Sequence, residues 1–160
     1  MIYSKNIKLV DFINFFYTVI YSPIFVKIDS MKLLTAALFG SVFMFLGVAL
    51  GALGSHALEG KITQDSLHSY MISIRYMLFH GLALLFLSAL PFVEEVKKER
   101  IAFLLVLGVF LFSGSILLLS TRAIHGLSVS FLGPITPIGG LLLLGAWAYL
   151  SVLLGKMMLA

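Results

Sequence analysis

Ser66, Ser69, Ser73, Tyr76 and His80 follow one another at spacings of three, four, three and four residues. On a helix those intervals return to one side, with Tyr76 and His80 a single turn apart. A file of hydroxyls ending in an imidazole can pass a proton or solvate an anion. Polar groups surrounded by hydrocarbon also seek one another, so the same file can be a hydrogen-bond seam that holds two helices in register. The seam is the reading adopted here, and a proton or ligand path is the alternative.

Arg75 points about 100° away from Tyr76 on the same helix. It lies toward the outer end of the apolar run, where a long side chain can snorkel to the interface. Glu59 and Asp65 are its expected partners, in an ion pair that clamps the first loop. The other reading is an anion site shared with Arg122, which ends the third apolar run on the same side. His56 and His80 could supply imidazole to a metal or haem, but their depths differ by roughly 10 Å if one follows the first span and the other lies inside the second. His68 and His125 fall near the outer surface without metal-ligand spacing, so no metal and no cofactor are assigned.

The elements that must position these residues belong to a membrane. Of 160 residues, 61% are hydrophobic and 11% charged, against roughly 25% charged in an ordinary soluble domain. A bilayer span takes about 20 mainly apolar residues, and four stretches qualify: about 33–53, 73–92, 101–120 and 134–154. Short links join them, so the fold class is all-α, an integral membrane antiparallel four-helix bundle occupying 31–160. The formal net charge of +4 comes from basic residues scattered between oily segments, which makes no face for nucleic acid. Without cysteine the chain offers no disulfide, thiol nucleophile or thiolate site.

Local signals sharpen two helix starts. Thr63 reads as an N-cap, with Asp65 in the positive first turn and Ile62 and Leu67 spaced as a hydrophobic staple, so the second helix begins well before its span. Pro91 closes it. Gly133-Pro134 opens the fourth helix, where Pro137, one turn later, is either tolerated or kinks the axis. Residues 1–30 resist assignment, because Asp11, Asn14 and Pro23 interrupt an aromatic and aliphatic run. They read as an interfacial amphipathic helix, a marginal fifth span, or an upstream extension of a chain whose natural start is Met31; we favour the last.

Lys and Arg counts predict orientation. The side holding both termini and the second loop carries Lys5, Lys8, Lys27, Lys32, Lys97, Lys98, Arg100 and Lys156, whereas the other carries Lys61, Arg75 and Arg122. Both termini are therefore expected in the cytoplasm, with the chain in the cell inner (plasma) membrane.

Small residues mark the remaining candidates. Gly40, Gly47, Gly51 and Gly54 fall within roughly 60° of one another on the first helix, a stripe that lets another backbone approach closely. It is expected to pack inside the bundle, with a seam between copies as the alternative. Ser113-Gly114-Ser115 and Thr136 with its flanking prolines and glycines also read as close helix packing. A broken helix start that exposes amide donors is the weaker alternative.

Four ordered motifs carry a resemblance. They are Gly51-Ala52-Leu53-Gly54-Ser55-His56-Ala57-Leu58, Tyr76-Met77-Leu78-Phe79-His80-Gly81-Leu82-Ala83, Phe112-Ser113-Gly114-Ser115 and Thr136-Pro137-Ile138-Gly139-Gly140. In this order they resemble the transmembrane protein 256-like family, which includes the bacterial domain of unknown function 423 and the UPF0382 membrane proteins. The likeness covers about 32–155. The departures are Ser55 for alanine, Met77 for glutamine, Phe79 for tyrosine and Gly81 for alanine, and the loss of glutamine removes a polar group beside His80. The resemblance implies a four-helix membrane protein and no known activity. No paired carboxylates, P-loop or serine with a base accompany it, so the expectation is a non-enzymatic protein in the lipid bilayer, structural or binding a membrane partner or a second copy. A small transporter using His80, Tyr76 and Arg75 or Arg122 is the alternative.

Overall fold

The structure is a computed structural model and describes residues 31–159; the three readings of 1–30 fall outside them. Helix α1 spans Met31–Leu53 and runs on through one wide π turn, Gly54–Leu58. Helix α2 is Gln64–Ala89, and α3, Glu95–Val109, passes through a second π turn, Phe110–Gly114, into α4, Ser115–Ser120. The short α5, Arg122–His125, and a 3-10 turn, Ser130–Leu132, lead to α6, Ile135–Met158. Among the described residues, four continuous helical stretches are long and apolar enough to cross a membrane: Leu34–Leu58, Gln64–Ala89, Glu95–Ser120 and Ser130–Met158. The first, third and fourth run a turn or more beyond the expected spans, whereas the second begins nine residues before Ser73 and ends at Ala89, three before Phe92, because Pro91 holds Leu90 extended.

Those stops are local. Thr63 Oγ1 accepts from the Ser66 amide at 3.2 Å, satisfying a donor that the first turn of α2 would otherwise leave unpaired. Gly60 and Gly126 have φ of 76° and 68°, a region costly for a side chain, and each reverses the chain after a helical end. At Gly126 the His125 ring assists: Nε2–H donates to the Leu118 carbonyl, and Nδ1 accepts from the Leu127 amide. Helix α6 runs unbroken from Ile135, so Pro137 occupies a first-turn position whose amide has no partner to lose.

Contact order along the helices gives their directions. Moving up α1, Gly40 meets Gly81, Gly47 meets Leu78 and Gly54 meets Tyr70, so α1 and α2 run oppositely. Gly108 against Leu143 and the Leu111–Phe112 backbone against Gly139 make the third and fourth spans antiparallel too. His80 contacts Trp147, and Phe39 and Phe43 pack edge-on against Phe110, joining the second span to the fourth and the first to the third. The core lies where these meet, around the fully buried Leu84 and Ala146 with Phe43, Ile101, Leu105 and Val109.

The basic residues counted with the second loop, Lys97, Lys98 and Arg100, lie in the first turns of α3. Lys98 is buried, because it precedes Ile101, Ala102 and Leu105 by three, four and seven residues and so shares the inward face of α3. Its neighbour Lys97 stays at the surface and pairs with Glu94 at 3.0 Å.

Candidate functional site

The polar file of α2 divides into three parts in space. Ser66 and Ser69 line an open cavity of about 380 Å³ at one end of the bundle. Ser73 is fully buried and returns its hydroxyl to the Tyr70 carbonyl at 2.6 Å. His80 is buried near the middle of the span, while Tyr76 stands at the edge of a groove, 40% exposed.

Both His80 ring nitrogens are engaged by the fold. Nδ1 lies 2.7 Å from the Tyr76 carbonyl one turn back, and Trp147 Nε1–H donates to Nε2 at 3.2 Å. An indole has only a donor to offer, so Nε2 must accept and Nδ1 must carry the proton. Tyr76 stacks on the imidazole, with centroids 5.7 Å apart and planes inclined by 21°, and meets the Phe112 ring at 4.5 Å. Phe79, Leu143, Leu144 and Gly140 complete an apolar groove of about 540 Å³ beside this cluster. Trp147 was not among the residues singled out from sequence. A lone tryptophan inside an apolar span carries no sequence signal of its partner, which lies 67 residues away.

A second polar junction ties the third span to the fourth. Ser115 Oγ donates to the Leu111 carbonyl at 2.5 Å and lies 2.6 Å from Thr136 Oγ1, which therefore supplies the proton between them. Ser113, two residues earlier in the π turn, is fully buried, and its hydroxyl has no partner among the described residues. The π turn itself had no sequence signal beyond small residues at Ser113, Gly114 and Ser115. It forms where Gly139 lets the α6 backbone press on the amide of Phe112.

The other candidates are dispersed. Gly40, Gly47 and Gly54 lie under Gly81, Leu78 and Tyr70 of α2, with Gly51 in ordinary contact with Ile74, and the Tyr70 hydroxyl donates to the Leu50 carbonyl at 2.7 Å. His56 is exposed in the first π turn. Arg75 is exposed and forms no ion pair with Glu59 or Asp65 among the described residues. The expected clamp fails on distance: ten residues of helix separate Asp65 from Arg75 by about 15 Å, more than the side chain spans. Arg122 instead lines the 380 Å³ cavity with Asp65, and Arg75 is not among the residues lining it. Among the described residues, no three His, Asp or Glu side chains are grouped to hold a metal.

Four apolar spans packed through glycine and sealed by buried hydroxyl and imidazole contacts define a multi-pass membrane protein. The chain belongs to the family described as a protein of unknown function (DUF423), whose model matches residues 50–140. Its relatives include a UPF0382 membrane protein of Staphylococcus haemolyticus, 34% identical over 71% of this chain and 88% of the relative. YwdK of Bacillus subtilis, also a UPF0382 membrane protein, is 34% identical over 71% of this chain and 89% of its own length. One from Schizosaccharomyces pombe is 40% identical over 67% and 90%. No solved structure matches the chain.

Proposed function

We propose that this is a non-enzymatic membrane scaffold: its polar residues brace the bundle, and its outer faces hold a membrane partner or a second copy. The observation carrying this reading is His80, whose two nitrogens are both taken up inside the fold among aromatic walls. A proton carrier needs a free nitrogen along a wet path, and accepting a proton at Nε2 would turn that atom against the Trp147 donor. Catalysis finds no better support: Ser73, Ser88, Ser115 and Ser120 spend their hydroxyl protons on backbone carbonyls of their own helices, and the unpartnered Ser113 is fully buried, out of reach of a substrate.

The test is a double-mutant cycle on His80→Phe and Trp147→Phe, read by unfolding in detergent and by ion flux in proteoliposomes. Interhelical hydrogen bonds in membranes contribute about 0.6–1.7 kcal/mol, so each variant should lose roughly 1 kcal/mol and the pair little more than either alone. Flux should stay at the background of empty vesicles. Proton or anion flux that vanishes with His80→Phe would sink the scaffold and restore the transporter.

The same reading places the chain in the inner membrane with both termini in the cytoplasm, supported by the basic residues that gather on that side. Because the native chain lacks cysteine, single-cysteine variants label cleanly. A membrane-impermeant maleimide on intact cells should modify Lys61→Cys and spare Lys97→Cys; the reverse pattern inverts the orientation.

A further inference from the structure

The polar cavity and the apolar groove are walled by the same three helical segments. On α6, Thr136 lines the first and Gly140, one turn on, lines the second; on α2, Ser69 and Tyr76 stand two turns apart in the same relation. In the third span Ile116 and Phe112 repeat the pattern. The two spaces share no lining residue but succeed one another along these segments, polar at the end of the bundle and apolar up to about 10 Å deeper, which is the layout of a single trough. The deeper part opens sideways toward lipid, where Phe79 and Leu144 are each more than 60% exposed.

The polar end holds charges of both signs that do not satisfy each other. Asp65 and Arg122 line the cavity, and neither forms an ion pair among the described residues. A ligand that answers both needs an ammonium group beside an oxyanion, joined to hydrocarbon that continues into the groove. We infer that this trough is a binding site for an aminophospholipid, with its phosphate at Arg122, its ammonium at Asp65 and one acyl chain along Phe79, Phe112 and Leu144. The head cavity of about 380 Å³ and the groove of about 540 Å³ both lie in the range of roughly 300–1,000 Å³ usual for small-ligand sites. Tyr76 stands at the groove wall with a hydroxyl unpartnered among the described residues, as a glycerol ester would require. A phospholipid with only an anionic headgroup meets Arg122 equally well but sets its charge against Asp65. An acyl chain in the groove also keeps water from the His80 and Trp147 contact, so the site is compatible with the bracing role without depending on it.

Native mass spectrometry of the full chain from detergent, titrated with dioleoyl phosphatidylethanolamine, dioleoyl phosphatidylglycerol or chain-free glycerophosphoethanolamine, tests this. Charge-assisted hydrogen bonds imply a preference of about tenfold or more for the ethanolamine lipid over the glycerol lipid. Asp65→Asn should abolish that preference, Arg122→Gln should weaken both lipids, and Leu144→Trp, at the groove mouth, should weaken both while sparing the preference. All three side chains are exposed, and unchanged circular dichroism and unfolding midpoints will verify the fold. Equal binding of the two lipids, insensitive to Asp65→Asn and Arg122→Gln, would mean unselective annular lipid and overturn the inference. Chain-free glycerophosphoethanolamine binding as tightly as the intact lipid would overturn it as well, because the groove would then contribute nothing. Neither result alters the His80 and Trp147 coupling, so this site and the scaffold reading fail separately.

Discussion

Gly139→Ala should be the most damaging single methyl group that can be added to this protein. A Cβ at residue 139 would fall against the Phe112 amide nitrogen, with the Leu111 carbonyl carbon at 2.8 Å and the Phe112 Cα at 2.9 Å. All three are backbone atoms, so no side-chain rotation relieves the overlap and the third and fourth spans must separate. Overpacking costs typically 1–3 kcal/mol and occasionally more, and this site should reach at least about 3 kcal/mol. Separation would also pull Thr136 from Ser115 and carry Trp147 away from His80, since both partners ride on α6. Gly145→Ala is the internal comparison. A Cβ there meets nothing within 4 Å, and alanine is the better helix former by about 1 kcal/mol. Unfolding in detergent should therefore show a large loss at 139 and none at 145. Equal behaviour of the two variants would show that the spans are not held at this distance.

Gly40→Ala and Gly81→Ala are expected to have the next largest effects, and to be coupled. A Cβ on Gly40 would lie 2.8 Å from the Gly81 carbonyl oxygen, and one on Gly81 would lie 3.0 Å from the Gly40 carbonyl oxygen. The two glycines permit the same close approach from opposite sides. Each substitution should cost about 2 kcal/mol by forcing α1 from α2. Once either has moved the helices apart, the second meets relaxed space, so the double variant should fall short of the sum by roughly 1 kcal/mol. Strict additivity would mean that the helices never touch at this point. Gly47 and Gly54 differ in kind, because they lie under the side chains of Leu78 and Tyr70, which can turn aside.

These glycines also mark how far the sequence could be read. Gly40, Gly47, Gly51 and Gly54 share a face by helical geometry alone, and so do the serines, Tyr76 and His80 on α2. Which surface each face meets is a different matter. In lipid, hydrocarbon tails are as apolar as leucine, so an oily face has no preferred direction and periodicity cannot say what lies opposite. The Arg75 clamp fails for a simpler reason: Asp65 complements it in charge, but ten residues of helical rise already separate the two. Lys98 is turned inward by its spacing from Ile101 and Leu105, a burial that its charge alone does not announce.

What the sequence determined by itself is everything that depends on neighbours along the chain. The four spans follow from runs of apolar residues, the start of α2 from Thr63 and the opening of the fourth helix from Gly133-Pro134, while the structure decided that Pro137 leaves the axis unbroken. Tertiary structure alone decided the pairing of His80 with Trp147 and of Ser115 with Thr136, and brought Asp65 and Arg122 to the walls of one cavity. Those residues come together only when antiparallel helices slide into a single register. That register is set by how closely backbones approach at Gly40, Gly81 and Gly139, a distance that no local pattern encodes.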